Sequence, residues 1–187
     1  DPANDGTSRI AALVVPEGES IGRGQIDRYT DFVKEFGAKG LAYIRVEGED
    51  SSSLSSPILK YLSEECLKNI LVNLDVKKGD LIFFGAGKAK IVNDYMSRLI
   101  TRLGNDLGLT QDGYTACWVT DFPMFEEASD GSLTSLHHPF TSPVESNVEE
   151  LDKLEPLEIN SKAYDMVING IEIGGGSIRI HTKDMQE

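Results

Sequence analysis

Residues 163–181, AYDMVINGIEIGGGSIRIH, predict a β-hairpin by their pattern alone. Asn169-Gly170 separates two runs of alternating apolar and polar residues, and Asn-Gly in that setting is the strongest short-range hairpin signal. The second run contains Gly174-Gly175-Gly176. Glycine weakens a strand interior, because it adds no packing and loses the most conformational entropy on folding. The glycines therefore indicate that some other group lies close against this backbone.

A two-residue turn at Asn169-Gly170 also predicts the pairing across the hairpin. Ile168 would lie opposite Ile171, Val167 opposite Glu172, and Asp165 opposite Gly174. Paired residues share a face of the sheet, so Asp165 and Glu172 would share one face. The apolar residues would form the other face: Tyr164, Met166, Ile168, Ile171 and Ile173. Two carboxylates on one face suit Mg²⁺, and a solvated outer face is the alternative.

Arg179 and a pair of histidines are further candidates for ligand contact. The planar guanidinium of Arg179 suits a carboxylate or a phosphate, with a surface ion pair as the alternative. His137 and His138 stand at a predicted strand end before Pro139. Adjacent strand residues point to opposite faces, so we expect one histidine at a ligand and the other packed inward. No Cys or third His is spaced to complete a zinc site.

Composition narrows the class of protein. The chain has 187 residues, 40% hydrophobic and 26% charged, which is enough for one large or two small domains. The net charge is −13: residues 1–114 hold 14 Lys+Arg and 17 Asp+Glu, whereas residues 115–187 hold 4 and 14. Neither a DNA partner nor a membrane partner is expected from such acidity and from the lack of a long apolar run. Cys66 and Cys117 lack metal spacing and are interpreted as buried thiols of a cytoplasmic protein.

The predicted order of helices and strands changes near residues 108–114. Before that point, strands are predicted at 10–15, 41–46 and 81–84, and helices at 26–36, 63–74 and 91–107, with Ser63 as an N-cap and with Gly37 and Gly108 ending helices. Gly85-Ala86-Gly87-Lys88 lacks the spacing of a phosphate-binding loop and is interpreted as a plain strand-to-helix turn. After residue 114, strands are predicted at 117–125 and 133–140, followed by an acidic stretch and then by the hairpin. The pattern predicts an α+β fold with two domains, residues 1–114 and 115–187.

Four segments in the second part closely resemble bacterial-type aspartyl-tRNA synthetases. They are residues 118–126 (WVTDFPMFE), 136–141 (LHHPFT), 163–170 (AYDMVING) and 172–181 (EIGGGSIRIH). Three earlier segments resemble the GAD insertion domain of that family: residues 36–44 (FGAKGLAYI), 56–58 (SPI) and 79–86 (GDLIFFGA). The order and spacing of the segments match too, so the resemblance covers the whole chain.

The resemblance implies a fold and an activity. It implies a GAD-type α/β insertion domain at residues 1–114, followed at residues 115–187 by antiparallel strands of a class II aminoacyl-tRNA synthetase catalytic sheet. The implied activity is the reaction of L-aspartate with ATP to aspartyl-adenylate, followed by transfer to tRNA. A cytoplasmic, homodimeric parent enzyme is expected, with ATP and Mg²⁺ as cofactors.

The resemblance also implies roles for individual residues. The positions matching Asp165 and Glu172 bind ATP and its Mg²⁺. The position matching Arg179 holds the side-chain carboxylate of aspartate, and those matching His137 and His138 lie at the aspartate pocket. The three glycines would then leave room for the adenylate over the sheet.

Other family features do not occur in this sequence. The arginine of motif 2, in a Phe-Arg-Asp-Glu context, is missing, as are the Gly-Leu-Asp-Arg of motif 3, motif 1 and the anticodon-binding barrel. The resemblance therefore implies a fragment that is inactive alone, with no catalytic residue assigned. A GAD-type binding module of a tRNA-dependent amidotransferase subunit is the first alternative. An unrelated Mg²⁺-dependent enzyme acting on small carboxylates is the second. His137, Glu172 and Arg179 favour the synthetase, because an amidotransferase module needs no aspartate pocket.

Overall fold

The computed structural model describes residues 7–128 and 130–186. The chain divides into two compact units, residues 1–110 and 111–187, a few residues before the boundary predicted at 114. The fold is α+β with antiparallel sheets, as the sequence predicted. Within the described ranges, no helix combines the length and the apolar character that crossing a membrane requires.

The first unit is built on one four-stranded antiparallel sheet. Its elements are β1 (Ser8–Val15), α1 (Arg23–Lys34), β2 (Ala42–Val46), β3 (Leu54–Ser55), α2 (Glu64–Leu74), β4 (Leu81–Lys88) and α3 (Ala89–Asp106). The strand order is β1-β4-β2-β3, so β4 is central. The predicted N-cap of α2 is confirmed, since the Ser63 hydroxyl accepts a hydrogen bond from the Cys66 amide at 3.2 Å.

Alternation along β4 distributes its side chains between two apolar clusters. Leu81 and Phe83 point to the cluster formed with α1 and α3, where both are fully buried. Ile82, also fully buried, points to the opposite cluster, which includes Leu67 of α2. Because successive strand residues face opposite sides, one central strand supplies the core on both faces of the sheet.

The segment after Phe84 corrects the predicted turn. β4 continues through Gly85 to Lys88, and α3 begins directly at Ala89. A Cβ on Gly85 would lie 2.6 Å from the hydroxyl oxygen of Tyr95 and 2.9 Å from the sulfur of Met96. Glycine at position 85 therefore permits a close approach of α3 to the strand.

Gly85→Ala should lower the free energy of unfolding by about 1–3 kcal/mol, the usual cost of an extra carbon in a packed core. Tyr95 is only 1% exposed and belongs to the core cluster, so a carbon added at position 85 must displace packed atoms. Gly24→Ala is the matched control, because a Cβ on Gly24 in α1 meets nothing within 4 Å. Urea unfolding followed by circular dichroism measures both variants, and equal midpoints would contradict the packing argument.

The second unit consists of short strands and two helical turns. Its elements are β5 (Ala116–Val119), β6 (Phe122–Pro123), β7 (Phe125–Glu127), β8 (Leu133–Ser135), α4 (Val148–Leu151), β9 (Asn160–Ser161), β10 (Ala163–Ile168), β11 (Ile171–Ser177) and α5 (Lys183–Gln186). They form one sheet of order β11-β10-β5 and the two-stranded pairs β6-β9 and β7-β8.

The two long strands predicted before the hairpin are wrong in extent. The first is interrupted at Asp121, which has a left-handed backbone conformation with φ 59°. The second ends at Ser135, so His137 and His138 lie in a turn and not in a strand. Ser129, in the predicted loop between these strands, lies outside the described residues.

Candidate functional site

The hairpin turn is confirmed, and its asparagine also holds a third strand. Asn169 and Gly170 have φ values of 51° and 79°, the two positive values that a tight hairpin turn of this kind requires. The Asn169 side chain accepts a hydrogen bond from the Thr115 amide at 2.8 Å and donates one to the Gly113 carbonyl at 3.0 Å. These bonds fasten the start of β5 beside the turn.

The predicted pairing holds near the turn and changes beyond it. Ile168 lies opposite Ile171 and Val167 opposite Glu172, as predicted. The register then shifts, so that Met166 lies opposite Gly174 and Asp165 opposite Gly175. The predicted pairing of Asp165 with Gly174 is therefore wrong. The extra residue is Ile173, which forms a β-bulge in β11.

The bulge decides which side chains share a face. Asp165 lies two residues from Val167, the partner of Glu172, so both carboxylates lie on one face, as predicted. Glu172 and Arg179 are an odd number of positions apart, which in a regular strand would place them on opposite faces. One bulge residue reverses that relation. Arg179 thereby comes to the face of Asp165 and Glu172, which we call the carboxylate face.

The three charged groups are spread along this face. Asp165 and Glu172 are diagonal neighbours across the hairpin. This relation separates their Cα atoms by roughly 7–8 Å, and side chains at that separation can still contact the same bound ion. Arg179 lies four residues beyond Gly175, the partner of Asp165, which is roughly 13 Å at about 3.3 Å per strand residue. The carboxylate face therefore suits an elongated ligand and not a single ion bound by all three groups.

The hairpin's own side chains occupy the space beside two of the three glycines. A Cβ on Gly175 would overlap the carboxylate of Asp165, and a Cβ on Gly176 would lie 2.8 Å from the hydroxyl oxygen of Tyr164. Only Gly174 faces open space, in a cavity of about 250 Å³ that also includes Trp118. Asp165 and Tyr164 therefore account for glycine at two of the three positions, and room for an adenylate over the sheet stays a prediction.

Arg179 is exposed, and a buried threonine contacts its guanidinium. The chain after β11 continues in extended form, and Arg179 pairs with Thr141. Nη1 of Arg179 donates a hydrogen bond to Oγ1 of Thr141 at 3.4 Å, and Oγ1 of Thr141 lies 3.5 Å from Oγ of Ser177. Thr141 is only 2% exposed. In the described part of the chain no carboxylate pairs with Arg179, so the alternative of a surface ion pair is not observed.

The local sequence pattern around Thr141 predicts no role for this residue. The one local signal is the alternation of Ser177 and Arg179 with apolar residues. It predicts an extended segment whose backbone pairs with another strand. The identity of that partner depends on a contact 38 residues away along the chain. Such a pairing does not follow from local pattern.

The two histidines lie in the turn that leads to Thr141. The His138 carbonyl accepts a hydrogen bond from the Thr141 amide at 2.9 Å, and His138 Nδ1 accepts one from the Phe140 amide at 3.1 Å. The His137 ring packs edge-on against Phe122 with centroids 4.7 Å apart. Both histidines are exposed, so the expectation that one packs inward is wrong. The structure brings this turn beside the Arg179 end of the carboxylate face.

Asp165 and Glu172 together have the chemistry of a magnesium site completed by a ligand. Asp165 is partly buried and Glu172 is exposed. Among residues 7–128 and 130–186, no group of three or more His, Cys, Asp or Glu side chains is arranged to hold a metal ion. Two carboxylates fit Mg²⁺, which keeps several waters and commonly takes only one or two protein carboxylates plus substrate phosphates.

Comparison with known protein families gives a match in the first unit. A family model described as GAD domain matches residues 1–96, about half of the chain. The matched segment includes all strands of the β1-β4-β2-β3 sheet. The carboxylate face lies outside it, so its chemistry is argued from geometry alone.

Proposed function

This chain belongs to the GAD domain family, and on that premise we propose that it is part of an aspartyl-tRNA synthetase. GAD domains are shared by aminoacyl-tRNA synthetases and by amidotransferase proteins of the GatB type. The proposed parent enzyme joins L-aspartate to ATP, which forms aspartyl-adenylate and releases pyrophosphate, and then transfers the aspartyl group to tRNA. We place it in the cytoplasm as a homodimer.

The observation that carries the proposal is the order of charges on the carboxylate face. Two carboxylates at one end suit a magnesium ion bound to phosphate, and a guanidinium at the other end suits a carboxylate. Roughly 13 Å separate the level of Asp165 from Arg179 along the strand. Aspartyl-adenylate is an elongated molecule with a phosphate in its middle and a free carboxylate near its amino-acid end, so it complements this order.

Each residue then has a proposed role. Asp165 and Glu172 bind ATP through Mg²⁺, which when bound neutralises charge on the phosphate oxygens. Arg179 binds the side-chain carboxylate of aspartate through its two parallel N–H groups. His137 and His138 border the aspartate pocket from the adjoining turn. No residue of this chain is proposed to transfer a proton or to form a covalent intermediate.

The amidotransferase module is the second candidate, and the family match is equally compatible with it. The matched residues 1–96 lie in a domain that both classes of protein contain. The two candidates differ over the second unit: an accessory module has no use for a carboxylate face that ends in Arg179. The coding sequence on either side of this segment discriminates between them, because the synthetase requires motif 2 upstream and motif 3 downstream.

We expect the 187-residue chain alone to catalyse no aspartate-dependent exchange of pyrophosphate into ATP, whereas the full gene product should. Electrostatic stabilisation of the reacting phosphate supplies much of the rate in such chemistry, and the motif 2 and motif 3 arginines are absent here. Asparagine in place of aspartate is the control substrate. A full gene product that lacks aspartate-dependent exchange would contradict the synthetase proposal, and exchange by the chain alone would contradict the argument from missing motifs.

Thr141→Val in the full gene product should lower kcat/KM for aspartate roughly fivefold, about 1 kcal/mol, the usual net worth of one hydrogen bond. The reason is the lost contact with Arg179. Thr141→Ser keeps the hydroxyl and should restore most of the activity. Ser142→Ala is the matched control, since that hydroxyl donates to the Pro143 carbonyl. An equal loss in the Ser142 variant would show that Thr141 acts through folding alone.

A further inference from the structure

A second candidate site lies in the first unit, where β4 runs directly into α3. A cavity of about 380 Å³ opens there, which is within the size range of small-molecule sites. Among the residues that the structure describes, its lining includes Lys39 and Lys88 and no carboxylate, whereas the 520 Å³ cavity between α1 and α3 is lined by Asp31, Glu35 and Asp106 as well as arginines. The described side chains at the β4–α3 cavity therefore carry a net positive charge.

Tyr95, one of the residues that line this cavity, carries a buried hydroxyl without a partner. Tyr95 is 1% exposed, and its hydroxyl has no hydrogen-bond partner among the described residues. Burial raises the pKa of Tyr95, so its hydroxyl is neutral and can donate a hydrogen bond. The backbone of Ala86 offsets part of that pKa shift, but it does not reach hydrogen-bond geometry with the hydroxyl. Buried polar groups are almost always paired, and an orphan costs stability. The Tyr95 hydroxyl is thus a hydrogen-bond donor without an acceptor among the described residues.

The N-terminus of α3 is a further feature that favours an anion at this cavity. α3 has 18 residues, its N-cap position is Lys88, and no side chain caps it. The Ala89 amide donates to the Thr7 carbonyl at 2.9 Å, and no acidic residue stands in the first turn. The uncapped start of a helix carries partial positive charge and free amides, which favour an anion.

We propose that the β4–α3 cavity binds a phosphate group attached to a compact apolar or aromatic moiety, the chemistry of a nucleotide. Lys39 and Lys88 supply positive charge at the rim, the start of α3 supplies partial charge, and the Tyr95 hydroxyl donates to an oxygen of the ligand. Ile91 and Ala86 offer apolar wall to the attached group. The inference is independent of the carboxylate face and of the proposed synthetase activity.

Calorimetric titration of the 187-residue chain with inorganic phosphate, AMP and adenosine tests the proposal. AMP should bind in the millimolar range or better, phosphate more weakly, and adenosine not detectably. The double variant Lys39→Gln/Lys88→Gln should weaken AMP binding at least tenfold. Lys60→Gln/Lys78→Gln, which removes two exposed lysines of the same unit outside the cavity, should leave it unchanged.

Tyr95→Phe separates a binding role from a structural one. Loss of an orphan hydroxyl should keep or raise the melting temperature, while AMP affinity falls severalfold. A short single-stranded RNA that competes with AMP identifies RNA as the source of the phosphate, and failure to compete identifies a free nucleotide. No binding of AMP or phosphate to the unmodified chain, or an equal loss in the control lysine pair, overturns the proposal. So does unchanged AMP affinity in Tyr95→Phe.

Discussion

Phe83→Ala should lower the free energy of unfolding of the first unit by about 3–5 kcal/mol, the range for a buried Phe cut back to Ala. Phe83 is fully buried in the central strand, between Leu13 of β1 and Tyr43 of β2. Its ring contacts Tyr29 of α1 edge-on, with centroids 6.1 Å apart. Domains are commonly stable by only about 5–15 kcal/mol, so this single change removes a large share.

Urea unfolding followed by helical circular dichroism measures the effect, because α1, α2 and α3 carry most of the helix in the described residues. Tyr61→Ala is the matched control: Tyr61 is an aromatic residue of the same unit but is 76% exposed. We expect its midpoint to move little. Trp118, the single tryptophan, lies in the second unit and reports separately by fluorescence. A Phe83 variant as stable as the Tyr61 variant would contradict the assignment of the core.

Arg179→Lys in the full gene product should lower kcat/KM for aspartate. The loss of transition-state stabilisation, ΔΔG‡, should be about 2–4 kcal/mol, because a charged substrate group is left poorly paired. This prediction depends on the proposed function. Aspartate and asparagine have nearly the same shape, so packing distinguishes them poorly and a cationic fork is needed. Lysine keeps the charge but loses the two parallel N–H groups of the guanidinium. The KM for ATP should change much less.

Glu172→Gln is the complementary variant, since it lies at the other end of the carboxylate face. It should weaken the dependence on ATP and Mg²⁺ more than the discrimination between aspartate and asparagine. Steady-state kinetics with aspartate and ATP varied separately distinguish the two patterns. An Arg179→Lys enzyme with unchanged aspartate kinetics would end the assignment of Arg179 as the carboxylate clamp.

Much of the fold follows from local pattern. The three long helices and three of the four strands of the first unit were predicted from apolar spacing, from the Ser63 cap and from the glycines that end helices, whereas the short strand β3 was not. The segment 85–88 was not, because a Gly-Ala-Gly run between strand and helix favours a turn by composition. Its real conformation depends on Tyr95 and Met96 of α3, which pack against Gly85 and are distant in local pattern.

The candidate site divides in the same way. The shared face of Asp165 and Glu172 was predicted, because the Asn169-Gly170 turn sets the register for the first pairs. Two features were missed: the bulge at Ile173 and the burial of Thr141. A bulge forms when pairing at both ends of a strand demands registers that differ by one residue. Here β10 pairs along β11, and residues 140–142 pair with its continuation.

The sequence by itself determined the three long helices, the first half of the central strand, the tight hairpin turn and the chemical identity of the charged side chains. All of these follow from residues within a few positions of one another. Tertiary structure alone decided that Arg179 joins Asp165 and Glu172 on one face, that Asp165 and Tyr164 take the space beside Gly175 and Gly176, and that both histidines stay exposed. The physical reason is that a one-residue slip reverses every face beyond it, and whether the slip occurs depends on pairing with strands far away in the chain.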